Sequence, residues 1–168
     1  MIRKILFLDI DGVIAVEASN YQLSEHKQKL LGEIIKQTNC EIVISSSWRK
    51  QTVLETQMYF EQKGFDYVHR IVGITIRAYH HLNNSKIHLS IPRGVEIKQW
   101  LDTNIHSNNG KDFKKLKSGK DFTYCILDDD DSDMLLEHKN NFIKTDTTMG
   151  LSINELNKVI NILNNNLV

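Results

Sequence analysis

The chain has 168 residues, 40% of them hydrophobic, with 21 basic and 21 acidic side chains and a formal net charge of zero. This composition suits one domain of ordinary size with a single buried core and excludes a mostly disordered chain. Zero net charge supplies no global basic field, so any nucleic-acid contact must be local.

The chain enters an apolar strand, Ile5-Leu6-Phe7-Leu8, that ends abruptly in Asp9-Ile10-Asp11-Gly12-Val13. There is no leader signature before it, and no apolar run approaches about 18 residues, so neither a signal peptide nor a membrane span is expected; with Cys40 and Cys125 placed as buried thiols, a cytoplasmic setting is expected. Ser24 can cap a helix whose apolar positions Leu30, Leu31, Ile34 and Ile35 recur at helical spacing and which ends near Asn39. Glu41-Ile42-Val43-Ile44 is a second strand, followed by Ser45-Ser46-Ser47-Trp48-Arg49-Lys50, and a second helix runs from about Gln51 to Lys63 and stops at Gly64. Arg70 to Ile76 reads as a third strand, the polar stretch Tyr79 to Ile91 leaves room for no more than a small cap, and Pro92 opens a helix through Val95, Ile97, Trp100 and Leu101.

Lys111, Lys114, Lys115, Lys117 and Lys120 then form a basic loop, suited either to nucleic-acid phosphates or to plain solvation. A fourth strand, Tyr124 to Leu127, ends in Asp128-Asp129-Asp130-Asp131-Ser132-Asp133, and Phe142-Ile143-Lys144 is a short fifth. Ser152-Ile153-Asn154-Glu155 is a capping box for a last helix with Leu156, Val159, Ile160 and Leu163 on one face. Cys40 and Cys125 sit at or within strands and read as reduced, buried thiols. His80, His81 and His88 lack acidic or cysteine partners at zinc spacing and are expected to line a cleft, not a metal.

Alternating strands and helices define an α/β sandwich. In an open parallel sheet all strand C-termini share one edge, where ligands bind. Here two acidic tips and one hydroxyl tip would meet. Asp9 and Asp11, one residue apart, face the same side of an extended strand, and ionised carboxylates at a buried tip call for a cation. A hard divalent ion such as Mg²⁺, completed by waters and a phosphate, suits them.

Asp9-Ile10-Asp11-Gly12-Val13, the serine after strand two, a basic residue before strand four and the acidic cluster after it resemble motifs I to IV of the haloacid dehalogenase-like (HAD) superfamily. Ser45-Ser46-Ser47-Trp48-Arg49, Arg93-Gly94-Val95-Glu96-Ile97, Leu127-Asp128-Asp129, Asp133-Met134, Thr145-Asp146 and Gly150-Leu151-Ser152 are similar to the HAD domains of Swiss-Army-knife-type RNA repair proteins. More distantly they resemble the 3′-phosphatase half of polynucleotide kinase-phosphatase. The resemblance implies a three-layer Rossmann-like sandwich with a central, mainly parallel five-stranded sheet and little or no cap. It also implies a Mg²⁺-dependent phosphatase, with the Asp11 backbone carbonyl among the metal ligands and an open site that takes bulky phosphates.

The chemistry assigns roles by residue type. Asp9 is the candidate nucleophile, forming an aspartyl-phosphate. Asp11 is the general acid that protonates the leaving alcohol and then the base that deprotonates water. Asp9, Asp11, Asp128, Asp129 and Asp133 are the candidate metal carboxylates, with either Asp128 or Asp129 in direct contact. Ser45 and the Ser46 amide are phosphate-oxygen donors. Trp48 is placed either to stack on a base or to pack against a helix, and Arg49 either to contact a phosphate or to be solvated. The catalytic cation is Arg93, at the start of its helix, with Lys98 in reserve about 140° further round the axis.

Two other classes fit parts of this pattern: a phosphoacceptor module of the receiver type, whose motif order differs, and a non-catalytic binding domain that keeps the fold. The motifs see only the phosphoryl group. Small phosphomonoesters, nucleotides and RNA or DNA ends all satisfy them, and they leave the oligomeric state open.

Overall fold

The computed structural model describes residues 2–77, 79–81, 88–105 and 121–164. Five strands, β1 (Arg3–Leu8), β2 (Glu41–Ile44), β3 (Ile71–Ile74), β6 (Phe122–Asp128) and β7 (Phe142–Lys144), form one sheet in the order β3-β2-β1-β6-β7. Every pairing in it is parallel. A separate antiparallel hairpin, β4 (Tyr79–His81) with β5 (His88–Ser90), stands where the sequence suggested a polar loop. It is the only cap-like element among the described residues. The basic loop from Lys111 to Lys120 and the side chains of His80, His81 and His88 lie outside the described part of the molecule.

Strand alternation explains the three layers. Leu6 and Leu8 of β1 face one side and join Leu31, Ile34 and Ile35 of α1 (Glu25–Thr38), Phe60 of α2 (Val53–Gln62) and Leu156, Val159, Ile160 and Leu163 of α4 (Ile153–Leu163) in one core. Ile5 and Phe7 face the other side, against Ile97 and Trp100 of α3 (Arg93–Asn104) together with Tyr124 and Ile126 of β6. β1 is therefore buried on both faces, which is why it reads as a continuous apolar run. Phe7 meets Trp100 edge-on, with ring centroids 5.4 Å apart.

Helix ends follow local chemistry. Thr52 and Glu55 form a capping box at α2, and Ser152 and Glu155 form one at α4, each satisfying amides that the first helical turn leaves free. Pro92 stands one position ahead of α3, in an extended conformation. β3 is shorter than the sequence suggested: Val68–Arg70 form a 3-10 turn before it, and beyond Ile74 the Thr75 amide continues the ladder by one bond. Among the described residues, no helix is long and apolar enough to cross a membrane.

Phe60 is fully buried, and its ring supports Trp48 from below, 6.2 Å between centroids. Phe60→Ala is expected to cost about 3–5 kcal/mol of unfolding free energy, measured by denaturant titration.

Candidate active site

The hydrogen-bond ladder continues one residue past four strands. The Asp9 amide donates to Leu127 O (3.0 Å), Ser45 to Leu8 O (3.1 Å), Thr75 to Ile44 O (3.1 Å) and Thr145 to Asp128 O (2.9 Å). Polar residues thereby line the C-terminal edge of the sheet in the spatial order Thr75, Ser45, Asp9, Asp128 and Thr145. Asp9 is 5% exposed and Asp128 is fully buried.

Gly12 lets β1 turn away at once. Its φ of +69° is one that side-chain-bearing residues rarely adopt, and a Cβ there would collide with the Asp129 carboxylate. The Gly12 carbonyl accepts a hydrogen bond from Thr145 Oγ1 at 2.7 Å. The turn after β1 is thus wedged between the turns after β6 and β7, and Asp129 lies directly against it.

Asp9, Asp128 and Asp129 each offer a carboxylate oxygen, and the three atoms lie within 4.8 Å of one another. Arg93 is the cation facing them: its Nη1 stands 2.5 Å from Asp128 Oδ2 and 3.3 Å from Asp9 Oδ1. With all three ionised, three carboxylates against one guanidinium leave two negative charges, the charge a divalent cation would balance. Hard oxygen donors in this number fit Mg²⁺.

Burial is what shifts the carboxyl groups. Desolvation raises Asp9 above the usual carboxylate range, with Arg93 pulling the other way. Desolvation and the neighbouring Asp9 push Asp128 up to about 7. Burial disfavours the Arg93 charge, but Asp9 and Asp128 outweigh it and hold the guanidinium protonated.

Arg93 is held by its backbone as well as its side chain. Its amide donates to Asp133 Oδ2 at 2.8 Å, and the Gly94 amide donates to Asp133 O at 3.2 Å. Gly94 has no room for a Cβ beside Leu135 N, so the loop after β6 sits flush against the start of α3. Buried His138 bridges from the other side, its Nε2 2.9 Å from Gly94 O and its Nδ1 2.9 Å from the Tyr124 hydroxyl.

The other residues singled out from the sequence separate clearly. Asp11 lies beside the trio but outside it, and its Oδ2 accepts from Trp48 Nε1 at 2.9 Å. Trp48 packs against Tyr59 and Phe60, the second of its two expected placements. Ser46 hydrogen bonds to Asp9, and the buried Ser45 Oγ has no hydrogen-bond partner. A buried hydroxyl left unpaired is costly and calls for an acceptor. Asp133 caps α3 and does not enter the carboxylate trio.

Lys98, held in reserve behind Arg93, and Arg49 both lie outside the carboxylate cluster. Lys98 lies on the outer face of α3, paired with Asp102 at 3.1 Å and Glu137 at 3.5 Å, because five helical residues carry it down and around from Arg93. Arg49 is buried, not solvated. Its Nη1 donates to Ser45 O (2.8 Å) and Ser46 O (2.7 Å), Nε to Thr75 O (2.8 Å) and Nη2 to Glu96 Oε2 (2.6 Å).

Sequence reasoning missed Glu96, His138, Thr75 and Thr145 as supports of the site. Glu96 carried a signal, since it is an acid one position from Ile97 on the inward stripe of α3.

The sequence that builds this site has counterparts among known proteins. A family model described as the HAD domain in Swiss Army Knife RNA repair proteins matches residues 5–156, and the chain belongs to that family. Searches of curated proteins and of solved structures return no match. Membership supports a phosphatase-type function and agrees with the five-stranded parallel sheet.

The raised Asp128 carboxyl has a consequence for stability. With its folded value about 7 and an unfolded value of about 4, the folded state holds a proton that the unfolded state releases, so its stability contribution is lost as pH rises between those limits. In a metal chelator, Asp128→Asn is expected to match the wild type near pH 4 and to melt above it at pH 7.5. A constant difference across that range would contradict the assignment.

Proposed function

We propose that this protein is a phosphohydrolase that removes the phosphoryl group of a phosphomonoester through an aspartyl-phosphate on Asp9, with Mg²⁺ as cofactor. Its proposed substrate is a nucleic-acid end or a nucleotide. One observation carries the reading: three carboxylates and Arg93 converge at the tip of β1 beside the unpartnered Ser45 hydroxyl.

Phosphate esters resist attack because their anionic oxygens repel a nucleophile, so catalysis rests on positioning and charge neutralisation. Asp9, Asp128 and Asp129 would hold Mg²⁺, which when bound supplies positive charge to the phosphoryl oxygens and lowers their repulsion of the nucleophile. An Asp9 carboxylate oxygen attacks phosphorus as the bond to the leaving alkoxide breaks. Asp11, oriented by Trp48, gives that oxygen its proton. Water then attacks the phosphoryl group, Asp11 takes back a proton, and cleavage of the bond to Asp9 frees phosphate and restores the carboxylate. Ser45 Oγ, its hydrogen uncommitted, donates to a phosphoryl oxygen in both steps. Arg93 favours the ionised form of Asp9 against the cost of its burial and offers its remaining donors to the same oxygens.

The substrate class draws support from the family description, which concerns RNA repair proteins. It also draws support from the shortness of the β4–β5 hairpin, three residues to a strand, with no larger cap among the described residues.

Phosphate release from a panel of mononucleotides and end-phosphorylated oligonucleotides tests the proposal. Mg²⁺-dependent turnover is expected, abolished by chelation and reduced at least about a thousandfold by Asp9→Asn. Undiminished turnover by Asp9→Asn would refute the covalent route. Trp48→Phe keeps the aromatic packing but removes the Nε1 donor to Asp11. It is expected to lower kcat about tenfold, equivalent to ~1.4 kcal/mol, with little change in melting temperature.

A further inference from the structure

A second concavity lies beside the catalytic edge. A cleft of about 910 Å³ runs along the ends of β2 and β3, lined among others by Ser47, Lys50, Gln51, Ile74, Ile76 and Arg77. Its size falls within the range of ligand-binding sites, and the phosphoryl chemistry makes no use of it. From Asp9 across β2 to Thr75 is two strand spacings, roughly 10 Å.

The lining is of two kinds. Ile74 and the 55% exposed Ile76 give an apolar floor. Lys50 and Arg77 supply exposed positive charge. Arg77 is fastened at the rim by Nη2 on Ser47 O, at 2.5 Å, and the Lys50 ammonium rests over the Tyr59 ring, 3.6 Å from its centroid. Both cations are therefore preorganised by contacts that leave other donors available. Arg49, by contrast, is committed to Glu96 and to backbone carbonyls, and Glu55 is committed to the Thr52 amide.

We infer that this cleft is a strand-binding subsite: it holds the nucleotides next to the terminal phosphate, with Lys50 and Arg77 on backbone phosphates and the Ile74–Ile76 floor under sugars or bases. The inference rests on the phosphohydrolase reading for the identity of the end bound at Asp9. It departs from that reading in predicting affinity that grows with strand length. A phosphopeptide would share the charge but not the regular phosphate spacing.

The test is binding, not turnover. Fluorescence anisotropy of full-length Asp9→Asn protein in Mg²⁺ is measured with a single-stranded hexaribonucleotide 3′-phosphate and with the matching 3′-mononucleotide as competitor. The hexamer is expected to bind at least tenfold more tightly. Adding Lys50→Ala and Arg77→Ala is expected to weaken the hexamer fivefold or more and to flatten its salt dependence by about 1.4 in the log–log slope, the value for two single-strand phosphate contacts. Lys36→Ala, on the exposed face of α1, serves as the charge control, and melting temperature confirms folding. A loss below fivefold, a hexamer bound no more tightly than the mononucleotide, or equal affinity for a phosphoserine hexapeptide would each overturn the subsite. Phosphate release by the wild type from the panel of mononucleotides and end-phosphorylated oligonucleotides is scored separately. Its absence alongside the expected binding pattern would refute the phosphatase and leave the strand cleft standing.

Discussion

Negative charge buried at the end of the sheet is the constraint around which the molecule is arranged. Asp9 and Asp128 leave solvent at the tips of two adjacent parallel strands, with Asp129 against them. Removing like charges from water is costly unless a cation meets them at close range. Arg93 is that cation, and its position is fixed through Asp133 at its own amide, Gly94 against the loop after β6, and His138 between Tyr124 and the Gly94 carbonyl. An element on one face of the sheet is thereby locked to a loop on its edge, and both are locked to the carboxylates.

The turn after β2 is built with similar care. Arg49 ties the carbonyls of Ser45 and Ser46 to Thr75 O, and its pairing with Glu96 reaches α3. A buried ion pair of this kind is weak evidence for stability but strong evidence for a fixed geometry, because losing either partner strands the other. What it fixes is the Ser45 hydroxyl at the strand tip and, three residues on, the indole that holds Asp11. Aromatic packing through Tyr59 and Phe60 supports that indole from the core. Core packing and the proposed acid–base chemistry are therefore linked through one side chain.

Much of this was legible in the sequence. The apolar runs ending in Asp9, Ser45 and Asp128 set the parallel order, and the capping box at Ser152 marks a helix start whatever surrounds it. Arg93 was separable from Lys98 by helix geometry alone. Tertiary choices were not legible. Whether Trp48 stacks or packs depends on Tyr59 and Phe60, which arrive from the following helix. Arg49 became structural because a buried acid, Glu96, comes to meet it from a helix 47 positions along the chain. The β4–β5 hairpin escaped notice because its strands, Tyr79–His81 and His88–Ser90, are short and largely polar, without the apolar run that marks the equally short β7.

The central claim is that the carboxylates of Asp9, Asp128 and Asp129 share one divalent cation. Isothermal titration of the full chain with Mg²⁺ at neutral pH tests it most directly. The account predicts one ion per chain for the wild type and loss of that binding in Asp128→Asn. No binding, or binding of equal strength and stoichiometry in the variant, would contradict it.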